Sequence, residues 1–340
     1  MPLHRSRAKF FKRPLALALA LMGLATLSQP AAAFSGLYVL GDSLSDVGNA
    51  ALAVGTDPTQ FISGNSYVPD RPYASGTLSN GKVWASYLSQ SLGLGASLPS
   101  LAGGNNYAFG GARTSGGDAP SLKDQAQMLL APLKASGAKL SAHALYVVAG
   151  GGNNGFDALD AILAGANVES TLLTTANSYA SDVGGIVDDL QAAGARHIVV
   201  WNTPNLGLTP LANAAGPLAQ AGGTLLAQQM NGALATRLAG EQGVATFDVF
   251  SLLTNAVAQT GSSPTTATFS NATRACGSLL AGCDPATSLF WDGIHPTTYG
   301  HQFIAAGMAA TVAAIPEPST YALMLGGLAA VGWLARRRAA

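Results

Sequence analysis

Ser43, Asp292 and His295 are the residues of this 340-residue sequence whose types and surroundings can do chemistry together. Ser43 ends an apolar run at residues 37–40 that stops on Gly41-Asp42-Ser43 and gives way to polar, helix-capping residues. A run of that kind reads as a buried parallel strand that carries a serine to its carboxyl end, where open α/β sheets place their ligands. A free serine hydroxyl is a poor nucleophile, so it needs a base and donors for the charge that develops on the attacked carbonyl. His295, in Trp291-Asp292-Gly293-Ile294-His295-Pro296, is the candidate base. Asp292 stands three residues before it, and a turn at Gly293 brings the two side chains to one side. An acceptor on one ring nitrogen holds a histidine in the tautomer that leaves the other free to take a proton.

Two stretches between these ends complete the pattern. Asn-Tyr-Ala-Phe-Gly-Gly-Ala-Arg-Thr runs from Asn106, and Gly-Gly-Gly-Asn-Asn-Gly-Phe from Gly150. The glycine run is read as close backbone approach to a reacting carbonyl and not as a nucleotide loop. With GDSLSD around Ser43 and WDGIHP around His295, the four blocks closely resemble the SGNH hydrolases, the GDSL esterase and lipase family, in family order. The segment VWNTPNLGLTP at residues 200–210 is similar to that family's loop after its fourth strand. The resemblance implies a nucleophile at Ser43, a base at His295 oriented by Asp292, and an oxyanion hole of Ser43 N, Gly111 N and Asn153 Nδ2. Gly110 stands beside Gly111, and the register between them is open; Asn154 falls where relatives often carry aspartate.

Strand-length apolar runs occur at residues 37–40, 106–109, 145–149, 197–201 and 244–248, and helix-length segments rich in Ala, Leu and Gln, such as 175–193 and 224–239, lie between them. Alternation of this kind predicts a parallel sheet covered on both faces. The expected fold is α/β, the SGNH-hydrolase (flavodoxin-like) three-layer α/β/α sandwich with a central parallel sheet of about five strands. It would occupy residues 34–315 as one domain, since no repeat or long linker divides them.

The two ends read as addresses. Five basic residues precede an apolar run at 15–27 that ends on Ala31-Ala32-Ala33, a secretory signal peptide over residues 1–33. At the other end Pro316-Glu317-Pro318 precedes an apolar stretch at 319–335 and then Arg336-Arg337-Arg338. Residues 316–340 thus resemble a PEP-CTERM sorting signal, which implies a short transmembrane helix, transient inner-membrane anchoring, cleavage by an exosortase-type protease, and a periplasmic, cell-surface or secreted destination in a Gram-negative bacterium. Without the two ends the chain carries nine basic and sixteen acidic residues, a net charge of minus seven, which disfavours a nucleic-acid partner.

His143, His197 and His301 have no cysteine or acidic partner at ligand spacing and no H-E-x-x-H occurs, so neither metal nor cofactor is expected, and these histidines are read as satisfied surface or strand-end residues. Cys276 and Cys283, the two cysteines of an exported chain, are expected to form one disulfide just before Asp292. The resemblance implies hydrolysis of an acyl ester, as in lipases, esterases or phospholipases, with carbohydrate O-acetylesterase or acyltransferase activity on extracellular polysaccharide as the alternative. A catalytically inactive cell-surface binding protein is the reading of another class, and all three catalytic positions being filled speaks against it. The aromatic insertion at residues 61–73, from Phe61 to Tyr73, is a candidate lining for an acyl or sugar site.

Overall fold

The computed structural model describes residues 34–55, 71, 73, 76–260, 269–315, 326–329, 331–333 and 335–337. The leader, residues 61–70 of the aromatic insertion and the Pro-Glu-Pro sequence lie outside them. Phe34–Ile315 forms one compact unit.

Four strands, β1 (Leu37–Gly41), β2 (Leu145–Ala149), β3 (His197–Trp201) and β4 (Val244–Phe247), lie in that order in one sheet, all parallel. Each strand rises from the same side because a helical crossover returns the chain, and the alternation of side chains then sorts the apolar residues onto two faces. Leu40, Tyr146, Val148, Ile198 and Val200 enter one core, with residues of α3 (Leu122–Ser136), α5 (Val168–Ala193) and α7 (Pro217–Arg237). Val39, Leu145, Val147, Val199 and Trp201 enter the other, with α2 (Trp84–Ser91), α8 (Val249–Ala258) and α9 (Thr298–Ala313). Two cores around one sheet make the three-layer α/β/α sandwich. The remaining helices are α1 (Asn49–Val54), α4 (Gly152–Leu163) and α6 (Pro210–Ala215).

The fifth strand expected at 106–109 is not formed. Its residues run alongside β1, with Tyr107 N donating to Val39 O (2.7 Å) and Phe109 N to Gly41 O (3.1 Å), yet only Asn106 makes a bridge with that strand. Asn106 Oδ1 takes the Ala108 N–H (3.0 Å), a local bond that competes with a continued ladder, and the chain turns away at Gly110-Gly111. The segment still covers the free edge of β1. Gln125 of α3 adds a second cover, pairing with both Gly41 N (2.8 Å) and Gly41 O (2.9 Å).

Of the expected membrane span at 319–335, residues 319–325, 330 and 334 lie outside the described residues. Among the described residues no helix is long and apolar enough to cross a membrane; the described part of the tail is helical at residues 326–329, 331–333 and 335–337.

Candidate active site

β1 delivers Ser43 to the carboxyl edge of the sheet through a close-packed turn. At Gly41 any Cβ would stand 2.7 Å from Ala149 O and 2.8 Å from the Ser45 side chain, so glycine is required there. Asp42 Oδ1 then accepts from Leu44 N (3.0 Å), and Asp46 organises the start of the next helix. The Asp46 carboxylate accepts from Gly48 N, Asn49 N and Ala50 N where α1 begins and also reaches across to Gly110 N (2.9 Å). Asn49 Nδ2 donates to Asn106 O (2.8 Å) and Ala108 O (3.0 Å). One short polar stretch thus holds the serine turn and the Gly110-Gly111 turn in a fixed relation.

Asp292 and His295 lie in a tight turn between Trp291 and Pro296. Trp291 N donates to His295 O (2.8 Å), and Asp292 Oδ1 accepts from both Ile294 N (2.7 Å) and His295 N (2.6 Å), so the aspartate builds its own turn. Its other oxygen, Oδ2, lies 2.6 Å from His295 Nδ1. On the far side of the ring, Nε2 is 2.8 Å from Ser43 Oγ, across 252 residues of chain. Asp292 is 0% and His295 2% exposed, and Ser43 is buried as well. Burial acts to raise the Asp292 carboxyl, but His295, Tyr73 and the backbone N–H groups outweigh it and hold the group below its ordinary value.

Two further expected residues sit at the same edge. Asn153, in the first turn of α4, donates through Nδ2 to Ala112 O (2.8 Å) and lines the cleft with Ser43. An amide nitrogen carries two hydrogens, so one remains for another acceptor. Gly111 has φ 81°, a conformation that favours glycine. Of the two neighbouring glycines, Gly110 spends its N–H on Asp46, whereas Gly111 N has no partner among the described residues. Asn154 turns away from the cleft and bonds Thr114.

The cleft beside Ser43 has a volume of about 620 Å³ including its open mouth, and its walls are mostly apolar, among them Leu44, Phe156, Leu206, Leu253, Phe290 and Ile294. Residues 204–209, from the loop that follows β3, make one side of it. Asp42 lies on its floor, where burial pushes the carboxyl up to about 6.

Apolar walls thus stand beside a buried Ser–His–Asp chain, and the sequence profile of the GDSL-like lipase/acylhydrolase family matches residues 37–308. The chain belongs to that family. Its C-terminal residues 314–338 match the PEP-CTERM protein-sorting motif. Among curated relatives, esterase EstA of Pseudomonas aeruginosa is 29% identical over 338 residues, covering 86% of this chain and 49% of the esterase. An uncharacterized protein of the trpE-trpG intergenic region of Pseudomonas putida is 30% identical over 308 residues, 80% of this chain and 47% of the relative. Lipase 1 of Photorhabdus luminescens is 30% identical over 179 residues, 52% of this chain and 23% of the lipase. The chain thus spans half or less of the length of these relatives.

Tyr73 and His301 of this GDSL hydrolase domain depart from the reading of its sequence. Tyr73, from the end of the aromatic insertion, does not line the cleft; it is buried against Leu78 and Trp291 and donates to Asp292 Oδ2 (2.5 Å). His143 is exposed and His197 packs edge-on against Phe34. His301, expected to be satisfied, is 0% exposed with neither ring nitrogen partnered among the described residues, because the first turn of α9 carries it straight into the core. Among the described residues no group of three or more His, Cys, Asp or Glu is placed to hold a metal ion. Cys276 and Cys283 are paired, Cα to Cα 5.6 Å, and Cys276 N and Gly277 N donate to Phe290 O and Trp291 O, so the small ring flanks the segment that leads into Asp292.

Proposed function

We propose that this chain is an exported serine esterase or lipase that cleaves carboxylic esters through an acyl-enzyme on Ser43. The observation that carries the reading is the unbroken Ser43–His295–Asp292 chain at 2.8 and 2.6 Å, opening onto an apolar cleft. Ser43 Oγ attacks the ester carbonyl while its proton passes to His295 Nε2, and Asp292 stabilises the resulting imidazolium. The carbonyl oxygen, now negative, is held by Ser43 N, the unpartnered Gly111 N and the second Asn153 Nδ2 hydrogen. Each such donor contributes on the order of 3 kcal/mol to lowering the barrier. Collapse breaks the bond to the alcohol oxygen, which leaves with the proton from His295. Water then attacks the acyl-enzyme, giving its proton to His295, and the acid departs as Ser43 regains a hydrogen.

The apolar cleft walls favour esters with a hydrocarbon acyl chain over acetyl groups on a polysaccharide, because a chain of several methylenes gains ~0.8 kcal/mol per CH₂ buried there. A series of p-nitrophenyl esters from acetate to laurate, run beside acetylated polysaccharide, tests this: kcat/KM rises with chain length over the first few methylenes. Preference for acetylated glycan would overturn the substrate class. The Ser43→Ala chain should fold and lose turnover; hydrolysis at the parental rate would overturn the mechanism.

The localisation rests on both ends of the sequence. Residues 1–33 act as a cleaved leader, and the PEP-CTERM tail directs exosortase-type processing near Pro316-Glu317-Pro318 after the apolar stretch pauses in the inner membrane. A chain ending at Ala314 should hydrolyse esters at the full rate. An inactive truncation would mean that the tail belongs to the catalytic unit.

A further inference from the structure

We propose that Tyr73 is a positioning residue of the hydrolytic site: its hydroxyl fixes the Asp292 carboxylate against which the His295 ring is oriented. The inference rests on the acyl-enzyme reading of Ser43, His295 and Asp292.

Asp292 is fully buried, and a buried carboxylate is tolerated only when its oxygens are supplied with donors. Oδ1 takes two backbone N–H groups of its own turn, which any aspartate in this turn would find. Oδ2 faces two side chains, the His295 ring at 2.6 Å and the Tyr73 hydroxyl at 2.5 Å. Both contacts fall on the same oxygen, so the Tyr73 hydroxyl sets where Oδ2 stands relative to the His295 ring.

Geometry assigns the consequence. A carboxylate held by two backbone N–H groups on one oxygen can still rock about its Cβ–Cγ bond; a donor on the other oxygen from a separate part of the chain stops that motion. Tyr73 is separated from Asp292 by 219 residues and is itself wedged against Leu78 and Trp291, the neighbour of Asp292 in the chain. It does not line the cleft. Removing its hydroxyl should therefore change kcat and leave KM alone.

The test is Tyr73→Phe, which keeps the ring and its packing and deletes the donor. The expected result is a fall in kcat of about 10- to 100-fold, the size of one hydrogen bond to a charged group, with KM unchanged. A purely structural tyrosine would lower stability and the amount of active enzyme, and would cost the same whether or not the Asp292 carboxylate is present. In an Asp292→Asn background the substitution should cost less than threefold, because the carboxylate through which Tyr73 acts is gone. An unchanged kcat, or an equal loss with and without the Asp292 carboxylate, would overturn the assignment. Failure of the acyl-enzyme reading is separately visible, as parental turnover in Ser43→Ala.

Discussion

Two histidines six residues apart occupy opposite situations in this molecule. His295 ends the tight turn before α9 and His301 sits in that helix's first turn, and the rings are 2% and 0% exposed. The His295 ring has a carboxylate on one nitrogen and a serine hydroxyl on the other, whereas the His301 ring has nothing on either. Burial alone therefore confers no chemistry on an imidazole. An acceptor that fixes the tautomer, and a hydroxyl on the opposite side, are what the proposed role of His295 as a base rests on.

The sharpest break of that comparison removes the partnered ring. His295→Ala should lower kcat by about 10⁴-fold or more, and the double variant with Ser43→Ala should be hardly worse, since residues that act as one unit do not add. Steady-state kinetics on a short p-nitrophenyl ester measures both. A smaller loss is expected from Asp292→Asn, on the order of 10²- to 10⁴-fold, because His295 keeps its Ser43 contact but faces an amide in place of a carboxylate. Unchanged activity in Asp292→Asn would show that the ring relies on another acceptor.

The cysteine pair bears on the same turn from outside. Cys276 and Gly277 pair with Phe290 and Trp291, so the ring supports the approach to Asp292 without touching it. The unreduced peptide spanning Cys276 and Cys283 should run by mass spectrometry as a linked species. Replacing both with serine should lower stability by ~2 to 3 kcal/mol on loop entropy and change kcat only a few-fold. Free thiols in exported protein would remove this account of the loop.

What was legible in the sequence was what is local. Asp292 and His295 meet because a glycine turn places them three positions apart, and a strand leading into Gly-Asp-Ser brings Ser43 to the sheet edge where that turn arrives. The sheet's face alternation comes directly from apolar runs such as 145–149. The remainder depends on partners far apart in the chain. The choice between Gly110 and Gly111 turns on which amide Asp46 consumes, 64 residues away. The strand expected at 106–109 fails because Asn106 bonds its own backbone, which an apolar pattern does not register. Tyr73 was visible only as one aromatic among several in an insertion, since nothing in its neighbourhood announces a carboxylate 219 residues on.

The smallest effect on turnover, and the clearest separation of the two histidines, is expected at His301. Burial, with a lesser contribution from nearby His295, pushes its ring down to about 3, against about 6.5 in an unfolded chain. A group whose folded form stays neutral while its unfolded form takes a proton loses stability as pH falls below 6.5, a loss that continues down to about 3. By that linkage His301 makes the fold about 2 kcal/mol less stable at pH 5 than at neutral pH. Asp42 has the opposite sign: raised to about 6 by burial, it costs stability when ionised above that pH and returns it as pH falls from 6 toward 3.8. His301→Leu should therefore raise the melting temperature most at pH 5, through the lost titration and the removal of two unpartnered nitrogens, with kcat unchanged. Asp42→Asn should raise stability at pH 7.5 and flatten the recovery below pH 6. Melting curves from pH 4.5 to 7.5 on the two variants separate the contributions. If His301→Leu melts lower than the parent at pH 5, the buried ring has a partner that favours its charged form, and the contrast with His295 fails.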